Sequence, residues 1–322
     1  MRALSPARLE LIDALVAEAD TGGITAALLE KDDHLTDALG ALFELEFEHA
    51  TLVFCGGSSL AKAHGLIERM SEDADIKVVL AGATGAWSKN KIRRYLGDEV
   101  RGRVAEAMAN LGFTEEIDKR RSLNDNRYMH SQWAYRLTYG GIAALRPNLQ
   151  LELVARRPLL PTKSVQIESL ADRLSHSVGH SPRAVVVAVA ETLAEKILSF
   201  LRRFAMHRTG QMRQAWDTAL VRHIYDSHCI VQQTPAAVDA AREAFVPLAM
   251  VDVEEFGYQD SAFAANPKTV MAAALQAAGR DSQTRGEYER NLLPLVYGRT
   301  RPTFDEAWPT FQGVANKLLE AL

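Results

Sequence analysis

Two carboxylates one residue apart, Asp73 and Asp75 in the run DADIKVVL, have a spacing with chemical meaning. The run from Asp73 to Leu80 has the period-two pattern of a strand. Alternate side chains of a strand share a face, so Asp73, Asp75 and Lys77 stand together while Ala74, Ile76 and Val78 turn into a core. Carboxylates held at one spot repel each other. A hard cation relieves that repulsion, and Mg²⁺ suits two carboxylates together with substrate phosphates. A second run, Leu149–Ala155, faces Glu152 away from Leu151 and Leu153. If the two strands are neighbours, Glu152 completes a three-carboxylate cluster. Such a cluster can hold two metal ions around an in-line displacement at phosphorus. On its own, a D-x-D is more often a pair of solvated acids.

Upstream, Gly56-Gly57-Ser58-Ser59 directly follows the apolar run TLVFC and directly precedes a helical pattern. Glycine allows positive φ and close approach of the backbone to a ligand. Ser58 or Ser59 can cap the helix, whose free N–H groups make an anion site. A triphosphate gripped at the turn would place its metal on the acids. The turn is neither a Walker A loop nor GxGxxG, and by itself reads equally well as an ordinary strand-to-helix connection.

These residues need elements to hold them. Residues 6 to 48 read as two helices broken at Thr21-Gly22-Gly23; Thr51–Cys55 reads as a buried strand, Ser58–Arg69 and Ser88–Leu111 as helices. Gln132–Tyr139, Leu149–Ala155 and Ser164–Ile167 read as strands between Gly and Pro punctuation. From Arg183 onward the pattern is helical, with AVVVAVAETLAEKILSFLRRFA, WDTALVRHIYDSHCIV and four further candidates. The division falls near residues 168 to 182.

The bulk numbers narrow the class. At 322 residues, 47% hydrophobic and 24% charged, the chain has ordinary globular composition. No run is long enough for a membrane span, and the start lacks a signal-peptide core, so the chain reads as cytoplasmic. Cys55 and Cys229 cannot build a disulfide framework. His176 and His180 have ligand-like spacing without further ligands nearby. A net charge of −4 argues against a generally basic nucleic-acid binder but leaves room for a local basic groove.

Taken together, GG[ST], a helix, then acid-x-acid resembles the DNA polymerase-β-like nucleotidyltransferase superfamily. More narrowly, Gly56-Gly57-Ser58-Ser59-Leu60 followed by Arg69-Met70-Ser71-Glu72-Asp73-Ala74-Asp75 resembles the AbiEii-type nucleotidyltransferases, whose pattern is GGT-x-L then R-x-SEDIDF. Ala194-Glu195-Lys196 resembles that family's LAEKL segment, and Glu152 its late-strand acid. Arg222-His223-Ile224-Tyr225-Asp226 resembles its RD-x-YD motif, with His223 in place of the first aspartate; Asp217 is the alternative acid.

The resemblance implies an α+β fold. A polymerase-β-like nucleotidyltransferase mixed sheet with flanking helices would fill residues 1–170, and an α-helical lobe 171–322. It implies an Mg²⁺- or Mn²⁺-dependent transfer of NMP from an NTP. Asp73, Asp75 and Glu152 are the expected metal and catalytic acids, with Asp226 a further catalytic acid. Gly56, Gly57, Ser58, Ser59 and Arg69 are expected around the phosphates, with Lys196 neutralising triphosphate charge. The implied role is a toxin of a toxin–antitoxin or phage-defence system, with tRNA extended at its 3′ end and a cognate antitoxin as partner. The other readings are a small-molecule or protein acceptor, and a non-catalytic nucleotide-binding module.

Overall fold

A computed structural model of the chain describes residues 1–18, 23–140, 145–176, 181–211, 216–298 and 300–322. The chain forms two compact units. One runs from Met1 to Val187 and takes back a short return at Tyr297; the other comprises Ala188–Val296 and Thr300–Leu322. No described helix is long and apolar enough to cross a membrane. Thr21 and Gly22 of the expected helix break, and His180, lie outside the described residues.

The first unit begins with helices α1 (Pro6–Glu18) and α2 (Ala26–Phe43), then β1 (Ala50–Cys55), α3 (Gly56–Lys62) and β2 (Asp73–Leu80). Next come α4 (Lys89–Arg94), a π-helical turn, α5 (Arg101–Asn110), β3 (Thr114–Glu115), β4 (Arg121–Leu123) and β5 (Tyr128–Ala134). β6 (Asn148–Val154), β7 (Lys163–Gln166), α6 (Leu170–Ser175) and β8 (Arg183–Val186) complete it. The strands form one mixed sheet in the order β3-β5-β6-β2-β1-β8-β7, with β4 also pairing with β5, on the edge that β3 shares. Strand β2 lies near its centre, antiparallel to β1 and parallel to β6.

Period-two patterning sorts the faces. Phe54, Ala74, Ile76, Val78, Leu151 and Leu153 pack with Leu35, Leu39, Leu42, Val104 and Met108 of α2 and α5 in the main core. The opposite face carries the acids, beside a small apolar cluster of Val53, Cys55 and Val187.

Several expected elements shift, each for a local reason. The helix read as Ser58–Arg69 spans Gly56–Lys62, closing where Ala63 N–H and His64 N–H both reach Ser59 O and Gly65 takes φ +64°. Strand β5 starts at Tyr128, after positive-φ Asn124, Asp125 and Asn126, rather than at Gln132. Its expected far end leaves the ladder because the amides of Thr138 and Tyr139 donate to the buried Glu30 carboxylate. Arg183–Val186, read as helix, is strand β8 between β1 and β7. The β-branched valines there suit a pleated, half-buried surface.

The second unit is helical: α7 (Val189–Arg208), α8 (Arg222–Gln233), α9 (Ala237–Phe256), α10 (Ser261–Ala265), α11 (Pro267–Ala278), α12 (Ser282–Glu287) and α13 (Phe304–Ala321). Helix α7 packs against α8, α9, α11 and α13. Leu193, Ile197, Phe200, Leu201 and Phe204 of α7 are buried. Phe200 meets the edge of Phe311 and stacks with Phe204. Pro267 starts α11, where its missing N–H costs nothing. A capping box at Thr303 and Glu306 starts α13.

Candidate active site

The acid motif sits on β2 with both neighbours in register. Asp75 pairs with Glu152 across the parallel β2–β6 ladder and with Cys55 across the antiparallel β1–β2 ladder. Asp73 pairs with Gln150. Directly opposed positions put their side chains on one face, so Asp73, Asp75 and Glu152 share the face that the strand pattern predicts. Among the described residues, no three His, Cys, Asp or Glu side chains are gathered into a ready metal cage. The donor set is instead two carboxylates on alternate residues of one strand with a third beside them. That set fits Mg²⁺, which is usually held by one or two carboxylates plus substrate phosphates.

Each acid has a defined surrounding. Arg146 Nη1 lies 2.9 Å from Asp73 Oδ1 and donates to Gln150 Oε1 at 2.7 Å. Tyr128, on β5, donates its hydroxyl to Glu152 Oε1 at 3.0 Å. Burial, then the Glu152 charge, pushes the Tyr128 phenol well above its ordinary range, so it stays a donor. His130, directly opposite Glu152 in the β5–β6 ladder, joins the same face.

Behind Asp73 lies a buried ion pair. Lys31 Nζ and Glu72 Oε1 are 3.0 Å apart, with 0% and 1% of their side chains exposed. Glu72 also accepts the Arg146 N–H at 2.6 Å, while Lys31 donates to Arg146 O at 2.7 Å. Burial pulls the Lys31 ammonium below the usual lysine range, against the raising effect of Glu72.

The glycine-serine turn answers to the acids. Gly56 takes φ +72°, a conformation that L side chains rarely adopt, and a Cβ there would run into the Asp75 carboxylate. A Cβ on Gly57 would stand 2.7 Å from Arg69 Nη2 and 2.9 Å from Ser71 Oγ. Both serines face inward and are fully buried. Ser58 donates to Asp73 O and pairs with Ser71 Oγ at 2.9 Å; Ser59 donates back to Gly56 O at 3.0 Å. Neither caps α3, whose N-cap is Cys55 without a side-chain bond. The expected serine cap is therefore corrected: the helix starts two residues earlier, which carries both hydroxyls inside it. Arg69 is buried off the helix, with Nη1 donating to Met70 O at 3.0 Å.

Gly56→Ala is expected to cost about 1–3 kcal/mol through backbone strain and overpacking, read in a denaturant titration. Unchanged stability would mean that Asp75 does not depend on the turn for its seat.

In the helical unit, Lys196 on α7 and Asp226 on α8 form an ion pair of 2.6 Å, 7% and 0% exposed. Asp217 instead caps a short 3-10 turn through Ala219 N–H and pairs with Arg203. Of the two candidate acids, Asp226 is the one beside the lysine.

Sequence reading missed Arg146 and Tyr128. For Tyr128 a signal existed: the Asn-Asp-Asn turn just before it marks a strand entry. For Arg146 none did, because its role comes from contacts far apart in sequence.

Comparison with known proteins gives the following. The family model described as nucleotidyl transferase AbiEii toxin, type IV TA system, matches residues 37–309. Among solved structures, MenT4, a nucleotidyltransferase toxin from Mycobacterium tuberculosis H37Rv, superposes with a TM-score of 0.56 at 20% identity. The match covers 98% of this chain and 90% of that one. That likeness bears out the mixed sheet with a helical C-terminal region. No curated protein sequence matches the chain.

Proposed function

The chain belongs to the AbiEii family of nucleotidyltransferase toxins of type IV toxin–antitoxin systems, and on that premise we propose that it moves NMP from an NTP, with Mg²⁺, onto an RNA acceptor, a tRNA 3′ end. The observation that supports this reading is the register of the central strands, which opposes Asp75 to Glu152 with Asp73 two residues away on the same face.

In this reading Asp73 and Asp75 hold the metal together with the donor's phosphates. When bound, the metal neutralises charge at the reacting phosphate. Glu152, steered by the Tyr128 hydroxyl, accepts the proton of the acceptor's hydroxyl as that oxygen bonds to the α-phosphorus and the bond to the departing pyrophosphate breaks. The backbone at Gly56 and Gly57 lies against the phosphates, and the inward serines hold the turn to the start of β2. Lys196 is assigned to the triphosphate, with Asp226 fixing its ammonium. The antitoxin that the family implies relieves the toxicity, and the cytoplasm is the proposed setting.

The test is incubation of the protein with total RNA, Mg²⁺ and each labelled NTP in turn. Label is expected in a tRNA-sized band with at least one NTP. NTP turnover without RNA labelling would overturn the RNA acceptor and favour a small-molecule or protein acceptor.

A further inference from the structure

The Arg146 head and stem are held in different ways. The stem is clamped at its own backbone by the buried Lys31–Glu72 pair, through the Arg146 N–H and carbonyl oxygen. The head, on a side chain 37% exposed, reaches Asp73 and Gln150, which face each other across the β2–β6 ladder. An ion pair open to water is weak, whereas a backbone held by buried charge is firmly placed. The guanidinium can therefore leave Asp73 while its anchor stays fixed.

We infer that Arg146 is the resident counter-cation of Asp73, occupying that carboxylate in the metal-free protein and yielding it when a divalent cation binds. The inference rests on the proposed metal role of Asp73. Like charges cannot share the carboxylate without cost, so cation and guanidinium compete for it. The free cation alone then binds weakly. A cation arriving with a triphosphate brings further oxygen ligands and binds well, so the site is loaded by the metal–nucleotide complex rather than by metal first. Arg146 also offsets the charge of Asp73, one of the three acids on that face, when no metal is there.

The experiment is a Mn²⁺ titration of the full chain without nucleotide, following free Mn²⁺ by electron paramagnetic resonance. Arg146→Gln is expected to bind Mn²⁺ roughly 10-fold more tightly than the wild type, within the usual range for two coupled sites. Arg146→Lys, which restores a cation, is expected to bind as weakly as the wild type. Both variants keep the backbone that Lys31 and Glu72 hold, and thermal unfolding checks that the fold is retained. Arg146→Gln binding no more tightly than wild type, or showing no detectable binding, overturns the inference. Asp73→Ala separates this from the underlying reading. If Arg146→Gln and the double variant Arg146→Gln/Asp73→Ala bind equally well, Asp73 is not a metal ligand and both ideas fall. If Asp73→Ala removes binding from a wild type that Arg146→Gln does not improve, only the counter-cation role is lost.

Discussion

Asp75→Asn is expected to reduce nucleotidyl transfer by more than ~100-fold if Asp75 has the proposed metal role, since even residues behind a metal ligand cost 10- to 100-fold when removed. The fold should survive. Asparagine keeps the planar shape that rests against Gly56, and the change removes one of two acids directly opposed in the β2–β6 ladder. Like charges in that position destabilise by a few tenths to about 1 kcal/mol. The metal-free variant should therefore melt at or slightly above the wild-type temperature. Transfer and melting are measured on the same preparation. Wild-type transfer by a folded Asp75→Asn protein would remove the D-x-D from the mechanism.

Lys196 and Asp226 give the other large expected effect, and here stability and chemistry must be separated. Removing one partner of a buried ion pair leaves an uncompensated charge and costs about 3–5 kcal/mol. Lys196→Met and Asp226→Leu should each lose about that much in a denaturant titration. Together they should recover most of it, because a well-packed apolar pair can replace a buried salt bridge. Transfer should not recover with the fold. A charge-assisted contact to the triphosphate is worth roughly 1.5–3 kcal/mol, or about 10- to 150-fold in rate. If the double variant folds stably and transfers normally, the pair is part of the helical core only. Asp217, capping a 3-10 turn and paired with Arg203, should tolerate Asp217→Asn far better.

Much of the sheet could be read directly, because a half-buried strand writes its two faces into alternate residues. Asp73–Leu80 was expected as a strand and is one from end to end, and the conditional placing of Glu152 beside the acids is met by the β2–β6 ladder. What could not be read arises where distant segments meet. Nothing local to Arg146 indicates that Lys31 and Glu72 will clamp its backbone. The serines show the opposite difficulty: their type suggests a cap, yet a start at Gly56 turns both hydroxyls inward. The valines before Val189 misled because an apolar run has no period of its own. Only the partners β1 and β7 decide between strand and helix there.

The return of the chain at Tyr297 bears on how the molecule is made. Tyr297 is buried in the first unit, and its N–H donates to Glu68 O at 2.8 Å, one residue before Arg69. Everything from Ala188 to Val296 is translated between the body of that unit and this last piece. At ~5–20 residues per second, the interval lasts roughly 5 to 20 s on the ribosome. A nascent or prematurely terminated chain that stops before Tyr297 has the acid-bearing sheet but lacks a component seated beside its arginine. Cutting at Val187 would therefore take from the sheet and turn the buried tyrosine that pairs with Glu68.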